Sequence, residues 1–303
     1  MTFSPKIKWL SALLVLSVSV VLSSCVEVKP PAQKFSFGGQ RTEIVVAGCP
    51  AFIIEPDAPA KDGSKPWIWY APVVDRNPGP ALTWLMSQLL QHGFYVCGID
   101  VGDNYAKPAA RAQFEAFYQQ MRATYGLDPK ASLLAQSRGG LNFYHFASAH
   151  PDQVACIAGI YPVGDLRSYP GIARAAKAYG LTEAQLAGEL PSHNPIDLLR
   201  PIAKAKIPIL HVHGDADKIV PIEKNSGAIA ERYRALGGPM RLIVIPKHGH
   251  EEIPAYFESP GAPALSALPG ALARHSLIDR RSQPNPLTVV PYCQLSTFKR
   301  GNF

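Results

Sequence analysis

Charge is scarce in this 303-residue sequence: Asp, Glu, Lys and Arg together make up 17%, against 47% hydrophobic residues. That balance excludes an acidic disordered chain, and a mean hydropathy of +0.00 excludes a polytopic membrane protein. Long apolar runs are absent apart from one, Trp9 to Leu22. The net charge of +7 is scattered, with no basic stripe interleaved with aromatics, which argues against nucleic-acid binding. Cysteine is sparse at five residues, so this is no small disulfide-stapled scaffold, and the length suffices to bury a substantial core.

The one apolar run is preceded by Lys6 and Lys8 and followed by Ser23, Ser24 and Cys25, the order of a secretory signal peptide. It is shorter than the roughly 20 residues a spanning helix needs, although a retained N-terminal anchor is the competing reading. Leu22-Ser23-Ser24-Cys25 resembles the lipobox of bacterial lipoproteins. The resemblance implies removal of residues 1–24, acylation of Cys25 and a lipid anchor to a bacterial membrane. Val26 in the next position suits the outer membrane, with the body periplasmic or at the cell surface. Cys49, Cys97, Cys156 and Cys293 remain. Cys97 and Cys156 sit inside apolar strand-like runs, where a buried free thiol is the ordinary outcome, and no bridge is assigned.

Residues 25–41 contain Lys29, Pro30, Pro31 and a glycine pair without periodicity, as a flexible tether would. From Thr42 the pattern becomes regular. EIVVAGC and PAFIIEP read as two strands joined through Gly48, KPWIWYA as a third and FYVCGID as a fourth, with a helix over 81–92 stopped by Gly93. Helices then alternate with SLLAQ, VACIAGIY, PILHVHG and RLIVIP. Apolar strands separated by amphipathic helices imply an α/β fold with a mainly parallel sheet covered on both faces. Residues 164–206 interrupt the alternation with helical material, including a capping box at Thr182 and Gln185 and a cap-proline pair at Asn194-Pro195. This reads as a small cap-like insertion; a plain crossover is the alternative. The main domain is thus placed at 42–252, followed by an irregular, Pro- and Gly-punctuated segment over 253–303.

Ala135-Gln136-Ser137-Arg138-Gly139-Gly140 follows the SLLAQ strand and opens a helix. A serine at such a turn sits on strained backbone between small neighbours, with its hydroxyl above the carboxyl edge of the sheet and helical N–H groups beside it. The segment resembles the nucleophile elbow of the α/β-hydrolase superfamily, with Ala135 in place of the first glycine. A serine hydroxyl needs a base, and the superfamily supplies the acid and histidine later in the chain. HGDADKIVP resembles its acid loop and maps the acid to Asp217, with Asp215 as competitor. IPKHGHEE resembles the segment that presents the histidine and maps it to His250, with His248 as alternative. The resemblance implies that His250 takes the Ser137 proton while Asp217 fixes the imidazole. The oxyanion would be held by the N–H of Arg138 and by a second donor after WIWYA, Val73 or Val74, because Pro72 has no N–H.

Serine followed by arginine also resembles glucuronoyl esterases, in which that arginine helps hold the oxyanion; here Arg138 could do so or bind a substrate carboxylate, against the plain alternative of a surface arginine. Trp67, Trp69 and Trp84 could offer faces to a sugar, but Trp67 and Trp69 share one strand face, which favours core packing. Within the superfamily the chain looks closest to dienelactone-hydrolase-like and prolyl-oligopeptidase-like branches, without a counterpart to the propeller of the oligopeptidases. It departs from the superfamily after His250, where IPAYFESPGAPALSALPG replaces a closing helix with a proline-broken stretch.

Two rivals compete with this reading. His211-Val212-His213-Gly214-Asp215 resembles the start of a metallo-β-lactamase motif but ends in Ala216, so no metal site is assigned. A hydrolase fold can also serve as a non-catalytic, ligand-binding lipoprotein. The expected function is a serine hydrolase that cleaves a carboxylic ester of a small molecule or a glycan through an acyl-enzyme. A peptidase of the prolyl-oligopeptidase-like type is the nearest enzymatic alternative. No cofactor is implied, because the triad supplies nucleophile and base. No oligomeric state is assigned.

Overall fold

Short and mostly apolar runs, most of them closed by Gly, Pro or Asp, become among the described residues eight strands of one sheet: β1 (Gln40–Val46), β2 (Cys49–Glu55), β3 (Trp67–Ala71), β4 (Tyr95–Ile99), β5 (Ala131–Gln136), β6 (Val154–Ile160), β7 (Ile209–Gly214) and β8 (Met240–Ile245). The computed structural model describes Met1, residues 37–74 and residues 78–257. The apolar run 9–22, the lipobox with Cys25, Cys293 and residues 258–303 lie outside the described residues. Strand order is β1-β2-β4-β3-β5-β6-β7-β8. β1, β2 and β4 pair antiparallel, and every pairing from β4 to β8 is parallel. Ala47 and Gly48 both take positive φ, which gives β1 and β2 the tight hairpin turn their twist requires.

Among the described residues eight α-helices accompany the strands: α1 (Thr83–Gln91), α2 (Pro108–Ala123), α3 (Gly139–Ala149), α4 (Ile172–Tyr179), α5 (Glu183–His193), α6 (Leu199–Lys204), α7 (Ser226–Ala235) and α8 (Pro254–Phe257). The alternation along each strand sends side chains to two separate cores. Leu85, Met86 and Leu89 of α1 pack with Ile68, Tyr70 and Val96 on one face. Phe117 and Met121 of α2 and Phe143 of α3 pack with Trp67 and Trp69 on the other. The two tryptophans are fully buried, their ring centroids 5.7 Å apart, and Trp69 also stacks on Phe114 at 5.0 Å. They are core, not sugar-binding faces; Trp84 likewise packs against the α1 core. The α3 helix is apolar on nearly every side and accordingly buried from Gly139 to Ala147.

Between β6 and β7 the chain builds α4, α5 and α6. Both hydrogen bonds of the Thr182–Gln185 capping box form at the start of α5. Leu186 and Leu190 of α5 and Ala175 of α4 pack with Tyr105, Leu141, Val163 and Leu166 in a third apolar cluster. Two boundaries differ from those expected. β1 starts at Gln40, ahead of Thr42, and Phe37 is already buried, its carbonyl accepting from Ser87 Oγ at 2.7 Å. The expected irregular segment opens with the short helix α8. Cys49, Cys97 and Cys156 are buried free thiols. Among the described residues no helix is long and apolar enough to cross a membrane.

Candidate active site

Ser137 stands between β5 and α3 with φ +47°, a left-handed conformation that costs a non-glycine residue roughly 1–3 kcal/mol. Neighbouring backbone holds it there. Its N–H donates to the Ile160 carbonyl at 3.0 Å, and its carbonyl accepts from Val163 at 2.7 Å and Gly140 at 3.1 Å. A Cβ at Gly139 would strike the Ala71 carbonyl, and one at Gly140 would strike that of Val163, so the elbow closes only with glycine at both positions. Gly140 and Leu141 donate to the Ser137 and Arg138 carbonyls, leaving the N–H groups of Arg138 and Gly139 without a protein acceptor among the described residues. That is the donor-rich opening of a helix.

The Ser137 hydroxyl meets His250 Nε2 at 2.8 Å, and His250 Nδ1 meets Asp217 Oδ2 at 2.8 Å. Two loops deliver these partners and are fastened to each other. Ala216 N–H donates to the His248 carbonyl at 3.0 Å, and Lys247 N–H donates to Asp215 Oδ1 at 2.6 Å. Gly214 lets them close, since a Cβ there would strike the His248 carbonyl. Asp215, the competing acid, is therefore a loop clamp. His248, the competing base, turns its Nδ1 to Glu251 at 2.8 Å. The short α8 supports the histidine loop. Its buried Tyr256 donates to the Gly249 carbonyl and packs edge-on against Tyr161 at 5.1 Å, and the Tyr161 ring lies 4.4 Å from that of His250.

Asp217 is embedded with its side chain fully covered. Burial alone pushes a carboxyl up, but His213, His250 and the Val220 N–H all bond the ionised form and together hold it well below the usual carboxylate range. The N–H groups of Ile219 and Val220 fix Oδ1 at 2.9 and 2.8 Å, leaving Oδ2 for the two histidines. The acid thus stays ionised wherever the imidazole could need it.

A cavity of about 260 Å³ opens over Ser137 and His250, bordered by Pro72, Arg138, Tyr169 and Glu252 among others. The Arg138 guanidinium is engaged by Asp103 at 2.9 Å, so a substrate carboxylate would have to displace that partner. Of the loop after β3, Pro72 borders the cavity; Val73 is not among its lining residues and lays its side chain over Gly98. Gln136, Tyr161 and Glu252 are additions that sequence reasoning did not single out. Tyr70 OH donates to Gln136 Oε1 at 2.6 Å, and Gln136 Nε2 donates to Tyr161 OH and to Glu252 Oε1, each at 2.8 Å. The carboxylate pair directly after His250 was the available signal for Glu252. His211 and His213 both bond Ser226, and among the described residues no cluster of three His, Cys, Asp or Glu side chains could hold a metal ion.

The family model of the prolyl oligopeptidase family matches residues 113–260, the stretch that contains all three of Ser137, Asp217 and His250. Three solved structures illustrate the likeness. Dipeptidyl peptidase 4 of Porphyromonas gingivalis is 15% identical over 80% of this chain and 35% of its own, with a TM-score of 0.57. Puromycin hydrolase is 16% identical over 82% and 40%, with a TM-score of 0.57. An acylaminoacyl peptidase is 14% identical over 82% and 42%, with a TM-score of 0.55. This chain therefore spans only 35–42% of the length of those chains. No curated protein matches it. The strand order and these likenesses show the α/β-hydrolase fold.

Proposed function

We propose that the protein is a serine hydrolase in which Ser137 is the nucleophile, His250 the general base and Asp217 the acid that orients it. The continuous line of 2.8 Å contacts from Ser137 Oγ through His250 to Asp217 Oδ2, beginning at a strained bend, carries this reading. As the hydroxyl attacks an acyl carbonyl, its proton passes to His250 Nε2, and the charge formed on the imidazole is met by the ionised Asp217. The tetrahedral oxygen lies within the field of the α3 N-terminus, with the Arg138 N–H as first donor. His250 then returns the proton to the leaving group, and water, deprotonated by the same nitrogen, releases the acyl group from Ser137.

Two bond types fit this chemistry. The match to the prolyl oligopeptidase family and the peptidases among the structural neighbours support a peptide or amide substrate over the carboxylic ester first expected. A role as a lipid-anchored enzyme, held to a bacterial membrane through Cys25, is part of the same proposal. The test is labelling by a fluorophosphonate, followed by hydrolysis of a matched panel of aminoacyl and peptidyl anilides and short acyl nitrophenyl esters. Wild type should label at Ser137 and cleave the anilides, and Ser137→Ala should do neither. A wild type that stays unlabelled, or a Ser137→Ala variant that keeps its activity, would falsify the reading. Cleavage of esters alone would return the function to the esterase form.

A further inference from the structure

Asp217 is flanked by two imidazoles, and only one of them can serve as the base. His250 reaches Ser137; His213 approaches the same Oδ2 at 3.3 Å and is buried entirely. Behind His213 runs a sealed line of polar groups. His213 Nδ1 lies 2.8 Å from Ser226 Oγ, Ser226 Oγ lies 2.9 Å from His211 Nδ1, and His211 Nε2 lies 2.9 Å from Tyr144 OH. These groups come from β7, α7 and α3, and all are buried.

The protons along this line can be counted. His213 Nε2 faces the Val220 carbonyl at 2.8 Å as well as the carboxylate, and both only accept, so Nε2 carries hydrogen. If Nδ1 is bare, the single Ser226 proton goes to it. Ser226 must then accept from His211 Nδ1–H, which leaves His211 Nε2 to accept from Tyr144, and every proton has one acceptor. A second proton on His213 reverses the whole line. Ser226 would donate to His211 Nδ1, His211 Nε2–H would donate to Tyr144, and the Tyr144 proton would point into packing where no acceptor is described. Leaving a buried donor unpaired is the expensive outcome. Burial also pushes His211 down to about 3, so it cannot relieve the conflict by taking a proton of its own.

We propose that Tyr144, His211 and Ser226 form a proton-ordering line that keeps His213 neutral, its one Nε2–H shared between the Val220 carbonyl and Asp217, making His213 a positioning residue and His250 the only base on that acid. This role rests on the serine-hydrolase reading. It gives the site a fixed electrostatic asymmetry: one imidazole that can charge, and one that holds the carboxylate without competing. The other ionisable groups facing Asp217, Tyr161 and Tyr256, are both pushed upward by burial and so stay neutral, and Tyr233, which faces Tyr144, does likewise.

Long-range nitrogen–proton NMR on the full protein labelled with 15N-histidine reads the tautomers directly. His213 should be protonated at Nε2 only and His211 at Nδ1 only, at neutral pH. A His213 bearing both protons, or the opposite tautomer on His211, overturns the proposal. A functional arm uses fluorophosphonate labelling rates across pH. His213→Gln retains a neutral N–H donor and should label within about threefold of wild type, whereas His213→Leu should label about tenfold more slowly. In His213→Leu the carboxylate, relieved of one donor, should also draw the acidic limb of the profile upward by about half a pH unit. Equal losses in both variants would mean that the ring itself is needed, which sinks the proposal and leaves the triad standing. An unlabelled wild type would instead remove the serine-hydrolase reading and the positioning role with it. Should His213→Leu fail to fold, the wild-type tautomer pattern still decides.

Discussion

The two ends of the parallel sheet handle polar groups in opposite ways. Below the strands, before β3 and β5, polar side chains end on backbone. Lys65 N–H donates to Asp128 Oδ1 at 2.9 Å, Asp128 N–H donates to the Lys65 carbonyl at 3.0 Å, Trp67 Nε1 donates to the Asp128 carbonyl at 2.9 Å, and Tyr118 OH donates to the Pro129 carbonyl at 2.6 Å. Above the strands, besides backbone anchors such as those on Asp217, a connected set of bonds runs from side chain to side chain: Ser137 to His250, His250 to Asp217, Tyr70 to Gln136, Gln136 to Tyr161 and Glu252. A carbonyl can only accept, so the lower end is chemically fixed. A hydroxyl beside an imidazole beside a carboxylate can pass a proton. The same strands thus carry a locked end and a reactive end, the division expected of an open α/β sheet.

Exchanging an acid for its amide at each end is the sharpest way to test that division. Asp217→Asn removes the acceptor for His250 Nδ1–H while retaining an oxygen for the Ile219 and Val220 N–H groups. The imidazole is then free to adopt the wrong tautomer, and the fluorophosphonate labelling rate should fall by about 10³- to 10⁴-fold with the fold intact by circular dichroism. A loss below tenfold would mean that the upper end is as inert as the lower.

Acid should act next on two buried imidazoles, one of them in the line behind Asp217. His211 and His145 are both pushed down to about 3, by burial first, with the Arg111 guanidinium lowering His145 further. Their unfolded counterparts take up protons below about pH 6.5, so the unfolded state binds more protons as pH falls and stability drops with it. The loss runs from about pH 6.5 down to the folded values, at about 1.4 kcal/mol per pH unit for each histidine. Asp217 acts in a lower window: its folded pKa is depressed, so its contribution is complete above the ordinary carboxylate range and fades only as pH falls through that lower value. Urea denaturation of wild type and His145→Gln at pH 7 and pH 5 should show the variant losing less stability on acidification; equal losses would contradict the buried-neutral state.

How much of this could be read from residues alone follows from how local each feature is. The α/β class was legible because most strands are apolar runs closed by a breaker, and each helix is a periodic stretch. The three residues that meet above β5 were legible because each lies in a short segment with its own turn chemistry. The line from Tyr144 through His211 and Ser226 to His213 was not, because its members come from three elements and only their packing brings a tyrosine, two histidines and a serine into file. His211 and His213 invited a metal reading for the same reason: spacing shows that two imidazoles share a strand face, not what faces them. Tyr256 was hidden by the proline-broken stretch after His250, which in three dimensions still brings its hydroxyl to the Gly249 carbonyl of the histidine loop. Trp67 and Trp69 were open to two readings, with their shared strand face favouring the core, and Phe114 and Phe143 packed against Trp69 decide for it.

The smallest effect belongs to the lower end. Asp128→Asn keeps an oxygen for the Lys65 N–H and leaves both backbone carbonyl acceptors in place, so it exchanges one charge-assisted hydrogen bond for a neutral one. That difference is about 1 kcal/mol, or a fall in Tm of roughly 2–4 °C for a domain of this size. The labelling rate at Ser137 should stay within about twofold of wild type, because the carboxyl ends of β5, β7 and β8 are reached only through the length of the strands. If Asp128→Asn slowed labelling as Asp217→Asn does, the two ends would be coupled through the sheet, and the locked lower edge would have to be counted as part of the site it was thought only to support.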